Sequence, residues 1–107
     1  MVISVTEINQ ENLQSTITSN DLCLVDVYTP WCGPCNQLSP IIDEVSSETI
    51  GKVRVGKLNA DDNIDFCKYN NVRNIPTILL FKNGEVVERT TGLKSKKDIL
   101  EMIEKHS

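Results

Sequence analysis

The segment Leu22-Cys23-Leu24-Val25-Asp26-Val27-Tyr28 constrains this chain more than any other. It is almost unbroken in apolar and β-branched residues, so it reads as a strand covered on both faces. Such a strand needs a packing layer above it and another below. The flanking segments have the spacing to supply them. Residues 9–19 set Leu13 and Ile17 four apart, a short amphipathic helix. Residues 34–47 repeat Leu38, Ile41, Ile42 and Val45 at helical spacing, with Pro40 inside the stretch. Residues 53–58 read as a second strand, and Asp61 or Asp62 can cap a short helix reaching about Tyr69. Residues 77–81 form a further strand, and Asn83-Gly84 is a two-residue hairpin signal that returns the chain as a strand over 86–91. Ser95 with Asp98 is a variant capping box ahead of a final helix carrying Ile99, Leu100 and Ile103. The apolar run at residues 2–5 is an expected edge strand. Strands alternating with helices give an α/β layer architecture. The two strands joined through a helix should be parallel, with a right-handed crossover.

Composition narrows what such a fold can do. The 107 residues are expected to form a single domain, 1–107, with no repeat or linker. No apolar run approaches the ~20 residues of a membrane-spanning helix, which argues against a membrane role. A net charge of −4 argues against a large surface for nucleic acid. The charge is uneven. Residues 1–51 hold seven acids and no Lys or Arg, whereas residues 52–107 hold eight acids and all eleven basic residues. The halves therefore carry −7 and +3. The first residues lack both a basic residue and an apolar stretch of the length of a secretory signal, so a cytoplasmic location is expected. There thiols stay reduced, and a Cys-x-x-Cys pair is catalytic or metal-binding rather than structural.

That pair is Trp31-Cys32-Gly33-Pro34-Cys35, placed between the covered strand and a helix. The carboxyl end of a strand is where α/β sheets bind ligands. At a helix start, unpaired N–H groups and the helix dipole favour an anion, which lowers a cysteine's pKa and activates its thiolate. Pro34 suits an early helical position, Gly33 leaves room for a partner's backbone, and Cys35 lies one turn from Cys32. A nucleophilic and a resolving thiol on one turn suit thiol–disulfide exchange. Zinc is the bland alternative, but it needs four ligands. Cys23, Cys67 and the lone His106 are poorly spaced to complete a site, so no metal is expected. Cys23 and Cys67 read as packing residues, with Cys67 the better placed to be a partly exposed, regulatory thiol.

Asp26 shares a strand face with Leu22, Leu24 and Tyr28, where lost hydration should raise its pKa. A buried acid near a thiol pair can take or give the proton that exchange requires. Lys57, on the face of Val53 and Val55, points to a pair with it; the alternative is that both reach water at a strand end. Ile75-Pro76 opens a strand, and on sequence alone its peptide bond is expected to be trans.

Taken together, Trp31-Cys-Gly-Pro-Cys35 after an Asp-bearing strand, Ile75-Pro76-Thr77, Asn83-Gly84 and Gly92 resemble the thioredoxin family over essentially the whole chain. The resemblance implies a central five-stranded mixed sheet, in the order 1-3-2-4-5, flanked by four helices. It implies that Cys32 attacks a target disulfide and Cys35 resolves the mixed disulfide, with Asp26 and Lys57 assisting proton transfer. It implies a cis Pro76 against the cysteines and a contact surface of Trp31, Gly33, Pro34, Ile75, Pro76, Thr91, Gly92 and Leu93. The implied partners are disulfide-containing proteins and thioredoxin reductase or an equivalent electron donor. The implied protein is a monomer, and no bound cofactor is needed because the electrons travel as thiols. Tyr28, Thr29-Pro30, Asn36 and Asn74 depart from the family's usual choices and bear on partner preference and reduction potential. Two other readings use the same surface: a binding or assembly role without turnover, and a thiol oxidase or isomerase. Pro34 within Cys-Gly-Pro-Cys favours a reductant.

Overall fold

The run over residues 22–28 is the middle of the molecule. In the computed structural model, which describes residues 5–107, it forms β2 (Leu22–Tyr28). The other strands are β1 (Val5–Ile8), β3 (Val53–Asn59), β4 (Thr77–Lys82) and β5 (Glu85–Thr91). The sheet order is β1-β3-β2-β4-β5. β1, β3 and β2 run parallel, while β4 and β5 run antiparallel to their neighbours. The edge strand expected at residues 2–5 is observed from Val5 onward, and residues 2–4 lie outside the described residues.

Helices cover both faces, as a doubly apolar strand demands. α2 (Gly33–Glu48) and α4 (Lys96–Lys105) bring Leu38, Ile42, Val45, Ile99, Met102 and Ile103 against Leu22, Leu24, Val55 and Ile78. α1 (Leu13–Ile17) and α3 (Ile64–Tyr69) cover the other face, where Ile17 and Phe66 join Ile8, Cys23, Val25, Val27, Leu58, Leu79 and Phe81. The rings of Phe66 and Phe81 lie 6.3 Å apart at a tilt. Among the described residues no helix is long and apolar enough to cross a membrane.

Three local features position the rest. Ser95 caps α4 by accepting the Asp98 N–H at 3.1 Å, a bond worth about 1 kcal/mol. Asn83 and Gly84 turn the β4–β5 hairpin with φ of 52° and 85°, the left-handed conformation such a two-residue turn requires. In β3, Gly56 makes room for β1, since a Cβ there would come within 2.5 Å of Ile8 Cδ1.

Two expected boundaries need correction. The first helix spans only Leu13–Ile17, because Asn9 and Asn12 fold the preceding residues into a turn. Asn9 Oδ1 accepts the Glu11 and Asn12 N–H groups at 2.9 Å, and Asn12 Oδ1 accepts the Asn9 N–H at 2.8 Å. Neither Asp61 nor Asp62 caps α3. Asn59 accepts the Asp61 N–H at 3.0 Å and starts a single 3₁₀ turn, Ala60–Asp62, so that Asn63 becomes the residue before α3.

Candidate active site

β2 delivers the chain to the carboxyl edge of the sheet, and α2 begins after four intervening residues. Cys32 is the N-cap of α2, with extended backbone (φ −90°, ψ 117°). The Cys32 N–H donates to the Thr29 carbonyl at 3.3 Å, which fixes the approach from the strand. Pro34 stands in the first turn, where a missing N–H costs nothing. The first N–H groups of a helix have no partner inside it. Here the Cys35 N–H donates to Cys32 Sγ at 3.2 Å. The sulfur therefore takes the place of a side-chain cap oxygen, and negative charge on it would meet an N–H and the positive end of the helix dipole.

Cys32 and Cys35 are joined as a disulfide, with Cα atoms 5.2 Å apart. Both are buried, while Trp31, Gly33 and Pro34 around them are exposed. Trp31 is 73% exposed, and its Nε1–H donates to Asp61 Oδ2 at 3.1 Å. Asp61 was expected as a helix cap and instead anchors this indole.

Asp26 is fully buried, and neither of its carboxyl oxygens has a hydrogen-bond partner among the described residues. Burial pushes its carboxyl up to about 7; Lys57 pulls it down and Glu7 pushes it further up. The alternative of a solvated strand end is excluded for Asp26. The expected pair with Lys57 takes a different form. Lys57 is the register partner of Asp26 but makes no ion pair with it. Its Nζ donates to Ser39 Oγ at 2.8 Å and lies 4.7 Å from the Tyr28 ring centroid. Ser39 and Glu7, which hydrogen-bonds Tyr28, carried no signal in the sequence alone.

The remaining site residues gather at the same end of the sheet. The Ile75-Pro76 peptide is cis, which corrects the trans expectation and agrees with what the family resemblance implied. Thr77 pairs with Val27 on one side and Thr91 on the other, which brings Pro76 beside the end of β2. The Gly92 N–H donates to the Pro76 carbonyl at 2.8 Å and ties the two segments together. Pro76 is buried and Ile75 half-buried, whereas Thr91 and Leu93 are exposed. Cys23 and Cys67 are free. Cys23 is fully buried on the opposite face of β2, and Cys67 is half-buried on α3.

The comparisons with known proteins agree with this geometry. The thioredoxin family model matches residues 4–105. A thioredoxin of Rickettsia typhi is 46% identical over 106 residues, covering 98% of each chain. A thioredoxin of Haemophilus influenzae is 40% identical, covering 95% of this chain and 96% of that one. A solved mutant thioredoxin from Halobacterium salinarum superposes with a TM-score of 0.87 at 33% identity, covering 94% of this chain and 88% of the other. A disulfide-bonded Cys-Gly-Pro-Cys turn capping a helix at the carboxyl edge of this sheet is a redox site, and the chain belongs to the thioredoxin family of thiol–disulfide oxidoreductases.

Proposed function

We propose that the 107 residues work as one domain that reduces disulfides in other proteins, with Cys32 as nucleophile and Cys35 as resolving thiol. The observation that carries the reading is the Cys32 sulfur at the α2 N-cap, accepting the Cys35 N–H. In the reduced chain that contact stabilises a Cys32 thiolate. The thiolate attacks one sulfur of the target disulfide. A bond forms between Cys32 Sγ and that sulfur, the target's S–S bond breaks, and its other sulfur leaves as a thiolate that takes a proton. Cys35 then loses its proton to the Asp26 carboxylate and attacks Cys32 Sγ. The Cys32–Cys35 bond forms, the mixed disulfide breaks, and the target's remaining sulfur leaves and is protonated. The target gains two electrons and the chain loses two. A reductase donor returns them.

The exposed Trp31, Gly33, Pro34, Thr91 and Leu93, with Ile75, Pro76 and Gly92, form the surface that receives the target around the sulfurs. Ile75 offers its backbone to an extended target segment. The donor is thioredoxin reductase or an equivalent flavoprotein, and the protein acts as a cytoplasmic monomer, without membrane or nucleic acid. The reduction potential against glutathione tests the direction of flow. A value well below the glutathione couple is expected; one above it would make the chain an oxidant.

A further inference from the structure

Strand pairing sets three charged residues in one rank across the sheet. Glu7 of β1 is the register partner of Lys57 in β3, and Lys57 is the register partner of Asp26 in β2. All three point toward α2 and α4, because Val5, Val55 and Leu24, two residues earlier in each strand, pack into that core. One cation therefore stands between two carboxylates. Their surroundings differ. Asp26 is sealed in without a hydrogen-bond partner, whereas Glu7 is at the surface and accepts a bond from Tyr28 Oη at 2.9 Å. The Tyr28 ring lies under the Lys57 amine.

The groups around Asp26 can be named element by element. β3 contributes Lys57, and β2 itself contributes Tyr28. β1 contributes Glu7 beyond Lys57, while β4 sets only the apolar Ile78 beside the acid. α2 carries Ser39, which holds the Lys57 amine, and its acids Asp43, Glu44 and Glu48 are exposed; on α4, Lys97, Asp98, Glu101, Glu104 and Lys105 are exposed and Lys96 pairs with Glu44 and Glu48. Asp62, near Tyr28, adds negative charge at the rim. Glu7 is thus the carboxylate that strand register sets on the far side of the same cation.

We propose that Glu7, held by Tyr28, is a positioning residue for the proton-transfer step: it shares the Lys57 cation with Asp26 and thereby governs how readily the buried carboxylate takes the Cys35 proton. The proposal rests on the reading of Asp26 as the acceptor of that proton. In the step concerned the Cys35 S–H bond breaks, an O–H bond forms on Asp26, and the electron pair stays on sulfur. A Lys57 fully committed to Asp26 would hold it ionised and make it a weaker base. Divided between two carboxylates, Lys57 leaves Asp26 a stronger one. Burial and the bond to Glu7 push the Tyr28 hydroxyl up to about 12, so Tyr28 stays the donor in that bond throughout the working range.

The test follows the Asp26 carboxyl by its carbon-13 shift against pH in the reduced protein, beside the pH profile of insulin-disulfide reduction. In Glu7→Gln the Asp26 midpoint should fall by about half a pH unit, the scale of one charge acting from two strands away. The rate profile should move with it. Tyr28→Phe, which frees Glu7, should shift the midpoint the same way by less, and Glu7→Asp should restore part of the shift. An Asp26 midpoint unmoved in Glu7→Gln overturns the proposal. Asp26→Asn separates the two failures. If it slows exchange while Glu7→Gln leaves the midpoint in place, only the role of Glu7 is lost. If Asp26→Asn leaves the rate unchanged across the profile, the proton-acceptor reading fails and the proposal with it.

Discussion

β2 buries two ionisable side chains, three residues apart, on opposite faces of one sheet, and each has a basic residue as its register partner in β3, Arg54 for Cys23 and Lys57 for Asp26. Cys23 points toward α1 and α3 with Val25 and Val27; Asp26 points toward α2 and α4. Both are fully buried, and burial pushes both upward. For the thiol this means about 12, with Arg54 pulling slightly back, far from any working pH. For the carboxyl it means about 7, within it. The same desolvation silences one group and poises the other, because a thiol starts above neutrality and a carboxyl below it. Burial alone therefore marks no site. The starting pKa and the charges in the same rank decide.

The broadest way to break this comparison is to exchange cysteines across it. Cys32→Ser should abolish insulin-disulfide reduction, whereas Cys23→Ala should retain the wild-type rate; activity that survives the first or vanishes with the second would invert the assignment. Cys35→Ser should accumulate mixed disulfides with target proteins on non-reducing gels, and an absence of trapped species would remove Cys35 as the resolving thiol.

Asp26→Asn tests the poised half. Exchange near neutral pH should slow by about tenfold, below the usual reach of a positioned acid–base group because Cys35 can also lose its proton to hydroxide. The same substitution should stabilise the fold. Below its ordinary value of 3.8, Asp26 is protonated whether the chain is folded or not. Between there and about 7 the unfolded chain releases the proton and the folded chain keeps it, so stability falls as pH rises through that window. The loss is about 4 kcal/mol at most and is complete above it. Urea unfolding should therefore show Asp26→Asn gaining over wild type near pH 8 and little near pH 4; an equal gain at both would mean the carboxyl is not desolvated.

The smallest effect belongs to the silent half. Cys23→Ser buries a hydroxyl in an apolar layer and should cost about 1–3 kcal/mol with no change in the pH profile of exchange. A shifted profile would couple the two faces more directly than their packing allows.

Much of this molecule could be read from its residues, for a physical reason. The covered strand, the Asn-Gly hairpin and the Ser95 cap are each fixed by local chemistry within a few residues, and the parallel β2–β3 pairing follows from the helix between the two strands. The dithiol is equally local, being one helical turn. What escaped had two causes: asparagine side chains that compete locally with the helical pattern, and contacts between residues distant in the chain. Asn9 and Asn12 shorten α1 by binding backbone that a periodic pattern counts as helical. Asn59 displaces the aspartates as a cap. Asp26 and Lys57 were legible as neighbours, but the amine's attachment to Ser39 depends on where α2 settles over the sheet. The Glu7–Tyr28 bond spans 21 positions and emerges only once β1 has found its register.

That register depends on a missing methyl group. Gly56 lets Ile8 lie against β3, on the face opposite Glu7, and an alanine there would push directly on Ile8. Moving Ile8 moves its chain neighbour Glu7 and, with it, the second claimant on Lys57. Variation at position 56 and variation at position 7 should therefore be epistatic: in a chain already carrying Gly56→Ala, losing the Glu7 carboxylate would matter less, although the two side chains face opposite layers of the protein.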